Sequence, residues 1–473
     1  MYLRTSHGPQ LTLLFLFVVV NIVLFSLATY HTVDGKTLSV TFTHADDGQK
    51  YWGVATALVD FGSFLIPQEN LTPLAKAGPL TSLVFAFFIK LAGLHSAAPF
   101  IIAFQCGLLF CMGLFAHNIA REFGAPPYLV QGLVIFNPNL VGLAHYAQSD
   151  VLFAFFFTSF CWIVSCKLLQ RSHIDRKWFL ILGLVLGMMM LTRDVGKVFA
   201  ILIVPTMYLF LYLEHRISRL DLRAISLSLL ITSVTAAAIF SPWVARNYTV
   251  FGSPTATSSE MQLRDNYSVL ISRREGISED QITQQVWSDY SRLSPFEKGG
   301  GCRESQPLVL CFIEAVFEED ISKIAVSILS AWSGTFFAGG ATRLTVYFGF
   351  SGGLQAFYTG YEGYISLTEY PRFLSTLLSS EHKEYIFLVI LTAGFVLLTR
   401  LAGLIGFLFL LRKTSHLPKL LFFLASIAFL LAMYMFFGVS RFRAPFEPIL
   451  MLFAGVGLNL IRIQIQKFRY SSR

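Results

Sequence analysis

Charge is scarce in this chain. Asp, Glu, Lys and Arg make up only 14% of its 473 residues, against 55% hydrophobic residues and 47 phenylalanines, a balance that excludes a soluble enzyme. Cysteine is sparse as well. Of the six, Cys106, Cys111, Cys161 and Cys166 fall inside apolar runs, where the residue is usually a small buried hydrophobe. No spacing matches a zinc or haem motif. Cys302 and Cys311 stand in a long polar stretch, where a disulfide is open to them if that stretch faces an oxidising compartment. Internal repeats and low-complexity tracts are missing too.

What the chain has instead is apolar length. Runs at residues 11–29, 97–118, 129–146, 150–169, 178–192, 195–213, 224–244, 385–411, 418–438 and 444–462 approach the roughly 20 residues needed to cross a hydrocarbon core. Backbone in lipid must satisfy its own hydrogen bonds, so these runs are expected to be helices. The expectation is an all-α polytopic membrane protein of about ten or more spans, with the first run an anchor and not a cleaved signal peptide. Three parts follow: a transmembrane catalytic module at 1–245 that includes an outer loop at 30–96, a partly helical extramembrane lobe at 246–384, and C-terminal transmembrane helices at 385–473. Residues 79–94, carrying Lys90, are too short to cross comfortably and are expected to form a surface or re-entrant helix. Residues 321–338 are expected to form an interfacial amphipathic helix.

Lys and Arg outnumber the acids, giving a net charge of +8. The clusters Lys167–Arg171–Arg176–Lys177, Arg216–Arg219–Arg223, Arg412–Lys413–Lys419 and Arg462–Lys467–Arg469–Arg473 sit between alternate spans, the pattern of positive-inside topology. The charge therefore reads as orientation, with no nucleic-acid partner. The non-cytoplasmic face then collects every unusual polar cluster: residues 30–96, Gln148-Ser149-Asp150, Thr192-Arg193-Asp194, the region 246–384, and Val439 to Arg443. An active site at a membrane interface needs that convergence.

The most informative stretch there is His44-Ala45-Asp46-Asp47-Gly48-Gln49-Lys50-Tyr51-Trp52. Tyr51, Trp52, Ala55, Leu58 and Val59 share one face of a helix that starts at the acidic pair. Asp is a favoured N-cap, so Asp47 reads equally as a cap or as an auxiliary ligand. Asp46 is then the better candidate general base. Asp150 opens the run VLFAFFFTSFCWIV and is either the cap of that helix or a second site carboxylate. Lys76, Arg193, Arg246, Arg441 and Arg443 lie on the face that the orientation rule depletes of positive charge. As a set they favour an anionic ligand such as phosphate, with contact to lipid headgroups as the plainer reading for one or two of them. No pattern names a cofactor. A divalent cation held by Asp46, Asp47 or Asp150 is compatible with these hard oxygen ligands.

Several of these stretches, in this order, resemble one family. They are Asp46-Asp47 with Tyr51-Trp52 and Ala55, then Lys76-Ala77-Gly78-Pro79-Leu80, Leu191-Thr192-Arg193-Asp194, Ser241 to Tyr248 with Phe251-Gly252, and Arg441-Phe442-Arg443-Ala444-Pro445-Phe446-Glu447-Pro448. From about residue 40 to 460 the chain looks like the GT-C membrane glycosyltransferases, in the branch of bacterial aminoarabinose transferases and protein O-mannosyltransferase-like enzymes. The resemblance implies a polyprenyl-phosphate-linked sugar as donor and inverting transfer to an acceptor hydroxyl. It also implies a bacterial inner (plasma) membrane protein with its site on the non-cytoplasmic face. Asp46 takes the position of the family's catalytic acidic residue, and Asp47 stands where Glu is more usual. Asp150 matches a second acidic position, and Arg441 and Arg443 match the basic pair before the final helix. Lys76 departs from the usual Lys-Pro-Pro, because Ala77-Gly78 precedes a single Pro79.

Two other classes compete. A lipid-linked-sugar flippase or transporter suits ten spans with charges at their edges, although paired broken repeats are missing and the charges gather at one face instead of at mid-depth. A membrane scaffold would need no clustered carboxylates. The acceptor stays open between a lipid, a glycan and a protein hydroxyl.

Overall fold

The computed structural model describes residues 8–30, 46–67, 71–74, 78–169, 175–215, 219–252, 316–317, 320–337, 383–434 and 440–471. In chain order the elements are α1 (Gly8–Tyr30), α2 (Asp46–Phe61), a hairpin of β1 (Leu65–Ile66) and β2 (Thr72–Pro73), α3 (Pro79–Ala92), α4 (Ala97–Glu122), α5 (Pro127–Ile135), α6 (Pro138–Ala144) and α7 (Asp150–Ile163). They continue with α8 (Arg176–Thr192), α9 (Val195–His215), α10 (Arg219–Phe251), α11 (Ile321–Phe337), α12 (Lys383–Leu411), α13 (Leu417–Met433) and α14 (Glu447–Ser471). A π-helical turn at Val164–Leu168 extends α7, and 3-10 turns at Thr414–His416 and Ser440–Phe446 lead into α13 and α14. Among the described residues, the helical polytopic architecture read from the sequence is what the chain adopts, with one two-stranded hairpin added.

Among the described residues, eight helices are long and apolar enough to cross a membrane: α1, α4, α7 with its π-helical turn, α9, α10, α12, and α13 and α14 with their leading turns. α8, at 17 residues, is about 25 Å long, the short end of the crossing range. The run expected as one span at 129–146 is broken instead. Asn137 leaves the helix, its Oδ1 accepts from the backbone N–H of Asn139 at 3.0 Å and of Leu140 at 3.2 Å, and Pro138 occupies the first turn of α6. Proline has no N–H to give to a preceding turn, so the helix stops and restarts there. α5 and α6 together cover the length of one interrupted crossing.

The bundle is held by close approach of small residues as well as by aromatic packing. Gly183 and Gly187 of α8 face Thr232, Thr235 and Ile239 of α10 so tightly that a Cβ at either would collide, and the Thr232 hydroxyl donates to the Phe179 carbonyl at 2.9 Å. Small residues four apart allow backbones to touch where lipid offers no hydrophobic driving force between helices. Phe157, Phe160, Phe199 and Phe422 interleave α7, α9 and α13 in the core. At one end of the bundle Lys419 pairs with Glu122 at 3.5 Å, and Lys167 lies over the rings of Trp162 and Trp178 at 5.3 and 5.2 Å. The other end carries the start of α7, the α8–α9 junction and the close of α13.

Candidate functional site

The path to Asp150 is built before the residue itself. After α6 the chain runs through residues 145–149 fully enclosed, so its backbone groups need protein partners. Gln105, on α4 and 2% exposed, supplies two of them: its amide donates to the Ala144 carbonyl at 3.1 Å and to the Tyr146 carbonyl at 2.9 Å. The ring of His145 reaches across to α1, where its Nε2 lies 2.9 Å from Asn21 Oδ1, and the Cys106 thiol donates to the same oxygen at 3.2 Å. Ser149, beside Asp150, accepts from the hydroxyl of Tyr51 at 3.1 Å. Tyr51 belongs to α2, the helix that opens at Asp46. Its own backbone carbonyl accepts from Ser82 of α3 at 3.3 Å. The helix that begins with the acidic pair is thus joined directly to the turn that carries Asp150.

Asp150 is 2% exposed and forms an ion pair with Arg193. Arg193 follows α8 in extended conformation, next to the point where Gly78 packs against the backbone of Leu191 and Thr192 with no room for a Cβ. The next residue, Asp194, pairs with Lys197 one turn into α9. The Arg193 guanidinium also lies over the ring of Phe442, 5.9 Å from its centroid, and Arg441 lies over the same ring at 5.2 Å. Tyr434, which closes α13, stacks on Phe442 with centroids 4.0 Å apart and planes 9° from parallel. Its phenol is within electrostatic reach of Arg193, Asp150, Arg441 and Asp194. Two guanidiniums and two carboxylates from three segments therefore surround an aromatic pair. Cation–π contact of this kind contributes about 0.5–2 kcal/mol and fixes the direction of a guanidinium.

Of the residues expected from sequence, the structure brings together Asp150, Arg193 and Arg441. Arg246 is engaged elsewhere: it donates to the carbonyls of Leu74 and of Phe64, the latter at 3.3 Å, and to Asn247 Oδ1 at 2.9 Å, clamping both ends of the β-hairpin to α10. Trp243 lies under it at 4.8 Å. Arg443, expected beside Arg441 on a phosphate, is fully enclosed, pairs with Glu447, and donates to the Thr335 carbonyl at 2.7 Å. Arg400 completes that cluster, reaching Glu447 at 2.8 Å and the Phe336 carbonyl at 3.2 Å. Lys76, the side chains of Asp46 and Asp47, and the Cys302–Cys311 pair lie outside the described residues, as does most of the 246–384 lobe. Among the described residues there is no group of three or more His, Cys, Asp or Glu side chains to hold a metal ion. Of the three carboxylates expected around a cation, only Asp150 has a described side chain, and it is paired with Arg193.

Sequence reasoning missed Gln105, Tyr434 and the Tyr51–Ser149 link, and it held Phe442 only as a motif position, without its place beneath two arginines. Only the four-residue spacing of Arg443 and Glu447 gave a local signal of pairing.

Residues 76–245 match the family model described as dolichyl-phosphate-mannose-protein mannosyltransferase. The oligosaccharyltransferase AglB of the archaeon Archaeoglobus fulgidus, solved with an inhibitory peptide and a dolichol-phosphate, superposes with a TM-score of 0.54 at 16% identity, over 98% of this chain and 52% of its own. Its apo form gives 0.53 at 15% identity, over 99% and 52%. The chain has the GT-C fold. The chain spans about half the length of the archaeal enzymes it matches. ArnT from Cupriavidus metallidurans, bound to undecaprenyl phosphate, is similar over 96% of this chain and 78% of its own at 15% identity and a TM-score of 0.40. Comparison with curated proteins by sequence finds no match. The family match takes in Lys76, Asp150 and Arg193 and ends at Ala245, one residue before Arg246.

Proposed function

We propose that this protein is an inverting glycosyltransferase that moves a sugar from a polyprenyl-phosphate-linked donor to an acceptor hydroxyl on the non-cytoplasmic face of a bacterial inner membrane. The observation that carries the proposal is the convergence of Arg193 and Arg441 over Phe442, beside the buried Asp150, at the end of the bundle to which Tyr51 ties the helix of Asp46. A sugar hydroxyl is a poor nucleophile near neutral pH, so a carboxylate has to accept its proton as attack proceeds. Asp46 is assigned that role, with Asp47 as cap or auxiliary ligand. The anomeric C–O bond to phosphate breaks as the bond to the acceptor oxygen forms, and the electron pair goes to the phosphate. Preorganised cations stabilise that developing charge most in the transition state. Arg193, Arg441 and Lys76 are assigned to it, while Arg246 and Arg443 hold the segments that carry them.

The donor class is supported by the dolichyl-phosphate family match and by the dolichol-phosphate bound to AglB. Sidedness is supported by the Lys167 and Lys419 clusters at the opposite end of the bundle, since cytoplasmic ends are enriched in Lys and Arg. Acceptor recognition is assigned to 246–384. The test supplies purified full-length protein in lipid vesicles with radiolabelled polyprenyl-phosphate sugars and membrane extract. Labelled acceptor is expected with wild type and is expected to fall at least about a hundredfold with Asp46→Asn. Full labelling by the variant removes Asp46 as the base. Transbilayer movement of the donor without transfer favours a flippase.

A further inference from the structure

We propose that Asp150 is a counter-anion that competes with the lipid phosphate for Arg193, and so sets how readily the spent polyprenyl phosphate leaves. This inference rests on the donor class proposed above. The geometry behind it is the direct ion pair between the Asp150 carboxylate and Arg193 Nη1, with Asp150 enclosed and the Arg193 side chain 16% exposed. Phe442 holds the guanidinium from its face, and Tyr434 backs that ring. The cation therefore has a fixed seat, and its edge is where anions meet. A phosphate that binds there either displaces Asp150 or shares the guanidinium with it. Sharing brings two negative groups together where little water screens them, and like charges at such a distance repel strongly; displacement leaves the enclosed Asp150 carboxylate without its cation.

The penalty differs between substrate and product. The donor is a phosphodiester with one negative charge. Once its anomeric C–O bond has broken and the sugar has joined the acceptor oxygen, with the acceptor proton passed to Asp46, the lipid is left as a phosphomonoester. Its second pKa lies near 6, so near neutral pH it carries close to two charges. Asp150 opposes the dianion more than the monoanion. The same arginines that stabilise the leaving phosphate would otherwise retain it, and release of product limits the turnover of many enzymes. A fixed carboxylate on the binding arginine lowers that retention without removing the arginine.

The test measures binding of a short-chain polyprenyl phosphate to the full-length protein in nanodiscs, together with single- and multiple-turnover transfer. Asp150→Asn is expected to bind polyprenyl phosphate about tenfold more tightly than wild type, while its affinity for the intact donor changes less. Its first turnover is expected to persist and its steady-state rate to fall, with stronger inhibition by added polyprenyl phosphate. Asp150→Glu keeps the charge and is expected to bind polyprenyl phosphate less tightly than Asp150→Asn does, which separates the loss of charge from a change of side-chain packing. Arg193→Gln is expected to weaken polyprenyl phosphate binding by about tenfold or more, and it serves if Asp150→Asn does not fold. Equal or weaker binding by Asp150→Asn, loss of its first turnover, or unchanged binding by Arg193→Gln overturns the proposal. If wild type binds no polyprenyl phosphate at all, the donor reading falls and takes this inference with it; if wild type binds and only the Asn variant fails to tighten, the donor reading stands alone.

Discussion

Arg441 and Arg443 stand two residues apart in the same 3-10 turn, Ser440–Phe446, yet they do different work. Arg441 is half-buried and lies over Phe442 next to Arg193. Arg443 has no exposure at all, and its charge is spent on Glu447 and on the carbonyl end of α11, where Arg400 joins it. Carbonyls at a helix C-terminus attract cations, so the second cluster fastens α11 to α12 and α14. The comparison teaches that two arginines of one motif take different partners according to which side of the turn they leave. In this turn Phe442 separates the two: its ring supports the cation on one side and closes the core on the other.

Breaking the structural side is expected to have the largest effect. Glu447→Gln leaves two enclosed guanidiniums without their shared carboxylate. Removing one partner of a buried ion pair costs about 3–5 kcal/mol, so yield and thermal unfolding temperature in detergent should both drop sharply. A variant as stable as wild type would remove the triad as a fastener. On the side proposed for catalysis, Arg441→Ala should lower transfer by about 10²–10³, the usual loss for one preorganised charge-stabilising donor, while lowering the unfolding temperature much less than Glu447→Gln, because Arg441 is half-buried and its loss strands no enclosed charge. The two arginines are then distinguished by which measurement moves. Equal loss of stability in both variants would erase the distinction.

Smaller effects sharpen how the site is held. Gln105→Leu strips the Ala144 and Tyr146 carbonyls of their donor. An enclosed acceptor left without a partner costs about 1–3 kcal/mol, and because those carbonyls precede Asp150, kcat should fall along with stability; Gln105→Asn, too short to span both acceptors, should not restore it. Smallest is Tyr51→Phe, which deletes one hydroxyl bond to Ser149. A loss of about 1 kcal/mol is expected, seen as a modest fall in kcat with donor KM unchanged. A KM effect without a kcat effect would mean that the link serves donor binding and not the placement of the carboxylate helices.

The membrane class, the helical character and the GT-C fold were legible in the sequence, because each rests on short-range quantities. Apolar run length determines what can lie in lipid, and a motif is read by spacing alone. The break at Asn137-Pro138 was legible in principle, since a cap residue followed by proline is a local signal, but an unbroken apolar count from 129 to 146 concealed it. That Asp150 meets Arg193 was not legible. The two are 43 positions apart, and between them lies a tertiary packing, including the close approach of Gly78 to the backbone of Leu191 and Thr192, that no local pattern records.

By itself, then, the sequence determined a charge-poor helical chain with its polar motifs at one end of the spans, because hydropathy and the distribution of Lys and Arg act residue by residue. Only the tertiary structure decided which of the basic residues share a ring and a carboxylate and which are consumed in holding helices together. Lys, Arg and Asp bring the same ionisable groups wherever they stand in the chain. What that charge does depends on the distance to its partner and on the water left around it, and both are set by packing.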